Sequence, residues 1–243
     1  MTHEEYLKID AVSASFLKEC AINSPAHAKA KFELPFEETD AMFLGSALHA
    51  RVLEPDVYEA KFANDRKITG DNATAEKRRQ AIEGMSRAIA DHAEARRLLM
   101  SDGGQNETPI QWTEQGLPAR AKLDRIFDHA VIDLKTASDA SPRGFSRAVF
   151  SAWRYDIQAA WYLRAARADG LDVDRFIFVT VESSRPWPVC VYQMDQAAID
   201  NADEEIDLLL PRIAAARESG IWPAYPAGVQ TLYLPAWMAG GAE

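Results

Sequence analysis

The segment Lys122–Thr136, KLDRIFDHAVIDLKT, constrains the fold more than any other stretch of the chain. Two runs with strand-like alternation, Ala119–Phe127 and Val131–Thr136, flank the pair Asp128–His129. If that pair forms a two-residue hairpin loop, Phe127 faces Ala130, Ile126 faces Val131 and Asp124 faces Asp133, although Asp-His is not a favoured turn pair. Directly opposed residues share one face of a sheet with Cβ atoms about 4.5–5.5 Å apart. Period-two alternation puts Lys135 on the face of Asp133. Two carboxylates and an ammonium are therefore expected on one patch. Val131, Ile132 and Leu134 make the strand apolar and largely buried, and buried charges need partners or a metal ion.

Opposed aspartates repel one another. A divalent cation with oxygen ligands, Mg²⁺ or Mn²⁺, reverses that cost. A protonated lysine is no ligand; it can orient or deprotonate a water, or stabilise charge developing on a phosphate. The combination points to metal-assisted phosphodiester hydrolysis. The alternative reading of the same residues is a surface hairpin with a mixed charge face.

The rest of the chain places this segment in a mixed α/β context. Ser13 or Ser15 can cap a helix through Phe16, Leu17 and Cys20 that ends near Ser24–Pro25. A second helix is expected over Ala41–Leu53, with Met42, Leu44, Ala47, Leu48 and Val52 as its apolar face. A long charged helix follows over Thr74–Met100, burying Ile82, Met85, Ile89, Ala93 and Leu99. Strands are expected over Thr108–Thr113, Ala119–Phe127, Val131–Thr136, Arg175–Glu182 and Pro188–Gln193. A helix over Pro142–Ala168 separates the third and fourth strands, and another runs from Asp195 to Ser219, with Pro211 as a candidate kink. The tail from Ile221 carries Pro223, Pro226 and Pro235; it is expected to be extended and docked by Trp222, Tyr225, Leu232, Tyr233, Leu234 and Trp237. This order predicts a mixed sheet flanked by helices in a single domain: a mainly helical part over 1–105, a sheet-and-helix catalytic core over 106–220, and the tail over 221–243.

The formal net charge of −10 counts against nucleic-acid binding by bulk electrostatics, but not against a local basic groove with bound cations. Two cysteines, Cys20 and Cys190, cannot supply a four-cysteine zinc or iron–sulfur centre and read as buried thiols. The start, Met1 to Glu5, is polar and acidic, unlike a secretory signal, and no apolar run approaches about 18 residues. The expectation is a cytoplasmic protein without a membrane partner.

Three separated elements together resemble the PD-(D/E)XK nuclease superfamily. Asp124 followed by Asp133–Leu134–Lys135 is similar to its core motif, with Leu123 where proline is frequent. Gln158–Ala–Ala–Trp–Tyr162 resembles the QxxxY helix of RecB-type nucleases, and Gly45–Ser–Ala–Leu–His49 their GxxxH helix. FLGSALHARVLEPDVYEAKF, WRYDIQAAWY and IWPAYPAGVQTLYLPAW resemble the nuclease domain of exonuclease VIII, the RecE type, so the resemblance spans nearly the whole chain. It implies a restriction-endonuclease-like core in which Asp124, Asp133, the Leu134 carbonyl and His49 bind metal, Lys135 is catalytic, and Gln158 and Tyr162 support the site and contact DNA. Ser13 and Ser15 resemble the segment that holds a 5′-phosphate in the related lambda exonuclease family, and Lys18, Arg120 and Arg125 are further candidates for phosphate contact. Glu54 recurs in the resemblance without a role.

The implied activity is a Mg²⁺-dependent exodeoxyribonuclease, with Mn²⁺ able to substitute. It would degrade one strand of duplex DNA processively from the 5′ end, leaving a 3′ overhang. Implied partners are double-stranded DNA ends, further copies of the chain in a trimeric or tetrameric ring, and a strand-annealing recombinase of the RecT type, as in phage or prophage recombination modules. Rival readings are an endonuclease or an exonuclease of other polarity on the same fold, a non-catalytic DNA-end-binding protein, and a structural oligomer.

Overall fold

Three strands joined by two-residue turns form the spine of the molecule. The computed structural model describes residues 5–234 apart from 7 and 36. Strands β1 (Gln105–Glu114), β2 (Leu117–Phe127) and β3 (Ala130–Ala137) run as successive antiparallel hairpins. Both turns hold two residues at positive φ: Gln115 at 47° with Gly116 at 81°, and Asp128 at 53° with His129 at 57°. That left-handed pair suits the right-handed twist of the flanking strands. Glycine adopts it without a Cβ clash; aspartate and histidine are among the side chains found there. The second turn sets the expected register, Phe127 against Ala130, Ile126 against Val131 and Arg125 against Ile132.

β3 then pairs in parallel with β4 (Arg175–Glu182), and β5 (Val189–Gln193) returns antiparallel to β4, giving the order β1-β2-β3-β4-β5. The mixed sheet is covered on both faces. Ala130, Ile132 and Leu134 of β3, with Ile177, Val179 and Val181 of β4, pack against α3 (Asp40–Leu53), α6 (Ala73–Asp91) and α7 (Ala93–Met100). On the other face Val131, Phe176 and Phe178 meet α1 (Ala14–Ile22), α9 (Tyr155–Ala168) and α10 (Gln196–Ser219). β3 is thus apolar on both faces, as expected of a strand buried between helical layers. No helix among the described residues is long and apolar enough to cross a membrane.

Several elements depart from the sequence expectations. Ser24 caps an additional helix, α2 (Pro25–Glu33), with Pro25 in its first turn. Two short helices, α4 (Pro55–Lys61) and α5 (Arg66–Thr69), bridge α3 and α6. The charged helix expected over Thr74–Met100 is two helices that break at His92, whose Nδ1 accepts the Ala95 N–H; Ala93 is exposed, Leu99 is buried as expected, and Ala95 and Leu98 are buried beside it. The helix expected over Pro142–Ala168 is likewise divided. It consists of α8 (Pro142–Arg147), a π turn over Ala148–Ala152, a left-handed Arg154, and then α9. Apolar spacing continues across both breaks, which is why periodicity alone joined them. Pro211 lies inside α10 without ending it. The tail is extended; Trp222 packs against the core, edge-on to Phe16 at 5.9 Å, and the Pro223 carbonyl accepts the Ala26 N–H. Tyr225 is largely exposed but its ring lies 5.6 Å from that of His27, Leu232, Tyr233 and Leu234 are exposed rather than docked, and Pro235 and Trp237 lie outside the described residues. Of the two thiols, Cys20 is buried and Cys190 only half-buried.

Candidate active site

β2 and β3 part company where their carboxylates meet. Strand pairing ends at Arg125 and Ile132, one residue short of Asp124 and Asp133. Beyond it the Asp124 side chain takes over a ladder bond: its Oδ2 accepts the Leu134 N–H at 3.0 Å. β1 contributes from the other side. Its register with β2, Asn106 against Arg125 and Thr108 against Leu123, sets Glu107 opposite Asp124, and Glu107 interrupts that ladder with φ at 51°. Glu107 also pairs with Lys122.

α3 brings His49 to the same split from one face of the sheet. Donor atoms of His49, Glu107 and Asp124 lie within 4.8 Å of one another, close enough to hold one metal ion. His49 Nε2 is 2.6 Å from the Leu134 carbonyl, so Nε2–H donates and Nδ1 keeps its lone pair. That lone pair stands 3.5 Å from Asp124 Oδ2, two electron-rich atoms facing each other. Burial, and then Lys135, hold the imidazole pKa below its usual value, so it is neutral, as a metal ligand must be. Burial and the neighbouring Asp133 push Asp124 up to about 8, and burial with Asp124 raises Glu107. Both shifts come from burial first and from a neighbouring like charge second.

The other face of the sheet supplies a different set. Gln158 on α9 donates from Nε2 to Asp133 Oδ1 at 2.6 Å, and Lys135 Nζ forms an ion pair with Asp133 Oδ2 at 2.5 Å. Asp133 is fully buried, and the Lys135 ion pair is the contact its Oδ2 makes among the described residues. Burial works against the Lys135 ammonium, but Asp133 and Asp124 outweigh it and keep its pKa above the usual value. The group is a fixed cation. The Tyr155 ring lies 5.0 Å from Lys135 Nζ. Tyr162, one turn after Gln158, stays a neutral phenol because burial and then Asp124 and Asp133 raise its pKa far.

The structure therefore gathers His49, Asp124, Asp133, Leu134, Lys135, Gln158 and Tyr162 around one split, with both aspartates acting on Lys135. Asp124 looks toward His49 and Glu107, and Asp133 toward Lys135 and Gln158. Glu107 escaped the sequence reading although a signal was present: Gln115–Gly116 is a favourable two-residue turn, and counting back from it sets residue 107 against 124.

The phosphate candidates divide. The Ser13 hydroxyl caps α1 by accepting the Phe16 N–H at 3.3 Å and is buried, whereas Ser15 is exposed. Arg120 and Arg125 are buried and committed to structure. Arg120 binds the Tyr6 carbonyl, and Arg125 binds the carbonyls of Leu98 and Ser101 and the side chain of Asn106. Lys18 lies inside the site, donating to Gln158 Oε1 at 3.2 Å with its ammonium 4.8 Å from the Tyr155 ring. Burial and Lys135 lower its pKa to about 7. Glu54 joins α3 to α4 and does not enter the site.

Residues 13–233 match the family described as a PDDEXK-like domain of unknown function, DUF3799. The chain belongs to this family. The match takes in every residue of the split, from Lys18 through Tyr162. Among solved structures, a crystal structure from Eubacterium rectale provisionally titled as that of an exonuclease superposes with a TM-score of 0.73 at 17% identity, covering 100% of this chain and 99% of its own. At that identity it shows the shared fold: a five-stranded mixed sheet flanked by helices, the PD-(D/E)XK fold. A crystal structure of the protein SSO0001 aligns over 84% of this chain and 83% of its own at 13% identity, with a TM-score of 0.39 that carries no argument. No curated protein matches.

Proposed function

We propose that this PDDEXK-like chain is a metal-dependent exodeoxyribonuclease acting on ends of linear duplex DNA. One observation carries the reading: a carboxylate–imidazole cluster and a carboxylate-held lysine occupy the same split between β2 and β3. His49, Glu107 and Asp124, with Asp133 Oδ2 and the Leu134 carbonyl, would hold the cation, and the oxygen-rich set favours Mg²⁺ or Mn²⁺. The approach of His49 Nδ1 to Asp124 Oδ2, two ligand atoms 3.5 Å apart, fits such an occupant. Bound there, the metal would polarise the phosphate and lower the pKa of a bound water. Lys135, fixed as a cation, stabilises charge on the phosphate oxygens rather than accepting a proton. Gln158 holds Asp133, and Asp133 holds Lys135, so the lysine is aimed before substrate arrives.

The provisional name of the Eubacterium rectale structure supports the exonuclease over the endonuclease reading. Degradation from the 5′ end, processivity, a 3′ overhang and a RecT-type annealing partner rest on the exonuclease VIII resemblance. A ring of three or four copies is part of the same proposal; the exposed apolar tail at Tyr225, Val229 and Leu232 to Leu234 is a surface such contacts would use. Digestion of end-labelled linear duplex beside covalently closed circles, with Mg²⁺ and with chelator, tests the reading. Linear DNA should be consumed only with metal and circles spared. Efficient cutting of circles would make the chain an endonuclease, and activity in excess chelator would remove the metal mechanism.

A further inference from the structure

The stretch between β3 and α9 has a composition unlike the rest of this acidic chain. From Ala140 to Tyr155 it contains three arginines, Arg143, Arg147 and Arg154, and no aspartate or glutamate. Arg154 is neutralised by Asp156 and Glu205. Arg143 and Arg147 are exposed and make no hydrogen bond or ion pair among the described residues. The carboxylate that senses Arg147, Asp139, spends an oxygen on the Ser141 N–H. Beside these free cations stand two large exposed aromatics, Phe150 at 51% and Trp153 at 60%.

Their arrangement is built. Phe145 and Val149 anchor the segment in the core, while Arg143, Arg147, Phe150 and Trp153 are all exposed. The π turn over Ala148–Ala152 closes with Trp153 N–H on the Ala148 carbonyl and presents Phe150 and Trp153 at its end. Single-turn π segments occur often at functional sites. The segment leads straight into the site, because Tyr155 follows two residues after Trp153 and its ring lies beside both Lys135 and Lys18. Phe145 packs against the same ring at 6.2 Å.

Cations that track a phosphate backbone, interleaved with aromatic rings on which bases stack, are how single-stranded nucleic acid is held without sequence preference. A duplex hides its base faces and would meet only the arginines. We propose that Arg143, Arg147, Phe150 and Trp153 form a binding strip for unpaired nucleotides adjoining the phosphate at Lys135. The inference rests on the nuclease reading for the identity of that neighbouring site, but the strip can be tested without turnover.

Fluorescence anisotropy in excess chelator, with a labelled oligothymidylate and a blunt duplex of the same length, measures binding alone. Phe150→Ala and Trp153→Ala should each weaken single-strand binding about 5- to 100-fold and duplex binding far less. Trp153→Phe, which keeps a stacking ring, should retain most of the affinity. Arg143→Ala with Arg147→Ala should flatten the dependence of log affinity on log salt by about 0.7 for each phosphate that is no longer neutralised. Unchanged single-strand affinity in the aromatic variants overturns the strip. So does unchanged affinity together with altered sedimentation, which would make the segment an interface between copies of the chain. Hydrolysis of thymidine 5′-p-nitrophenyl phosphate with Mn²⁺ separates the two hypotheses. If the aromatic variants keep that activity while losing single-strand binding, the strip is supported. If the wild type lacks all hydrolysis yet the aromatic variants lose single-strand binding relative to it, the strip stands and the nuclease reading falls.

Discussion

On one side of the split between β2 and β3, three groups that carry or attract a cation, His49, Glu107 and Asp124, converge with only Lys122 paired to one of them. On the other, one fully buried carboxylate, Asp133, is held by an ammonium and an amide, and a second ammonium, Lys18, stands behind that amide. The first half is short of positive charge and the second is rich in it. Their common strands explain the proximity, and the helices explain the division, since α3 reaches the split from one sheet face and α1 and α9 from the other. Under the proposed function, a divalent ion would sit among the carboxylates and substrate oxygens would lie beside the lysine.

The sharpest way to break this division is to remove Lys135. Lys135→Ala should lower turnover about 10²–10³-fold, the usual loss for a preorganised transition-state interaction, while leaving metal binding nearly intact. Calorimetry with Mn²⁺ beside single-turnover cleavage decides it, and collapse of metal affinity with surviving turnover would reverse the assignment.

The acidic half is tested through stability. An ion that binds only the native state adds about 2.7 kcal/mol at one hundred times Kd. Thermal melts should rise with Mg²⁺ or Mn²⁺ in the wild type and in Lys135→Ala, and rise less in Asp124→Asn and Glu107→Gln. A full metal response in Glu107→Gln would return that residue to a structural partner of Lys122.

The cationic half is tested through the protonation of Lys18. Its folded pKa, about 7, lies below the ordinary lysine value near 10.5, so between those limits the unfolded chain binds more protons and native stability rises with pH. Each pH unit in that window contributes at most about 1.4 kcal/mol. In chelator, the wild type should gain stability over Lys18→Met between pH 7 and 10.5, and the difference should stay level below pH 6. Parallel urea midpoints across the whole range would show Lys18 to be solvated and outside the cationic half.

Much of this site was legible because its parts are local. Asp124 and Asp133 are related by one two-residue turn and an alternating pattern, so strand register follows from counting. Gln158 with Tyr162, and Gly45 with His49, are each one helical turn apart, so resemblance could carry them as units. Which way the Asp124 carboxylate points was not legible, because β2–β3 pairing ends one residue before it and its neighbours His49 and Glu107 come from other elements. The fates of Arg120 and Arg125 were hidden for a similar reason. Their guanidinium groups satisfy carbonyls of the N-terminal segment and of α7, interactions that sequence spacing does not encode. The helix breaks at His92 and Arg154 were invisible to periodicity because each following helix resumes in a compatible phase.

The turn at Asp128–His129 limits how this chain can vary over evolutionary time. Residues 125–132 separate the two aspartates, and the turn sits at their centre. Because strand side chains alternate with period two, gaining or losing one residue there would rotate Asp124 to the opposite face while β4 kept β3 in place. Insertions elsewhere on the surface cost little. Length in this interval is therefore a selected quantity, and relatives that keep the chemistry should hold it constant or change it by compensated pairs.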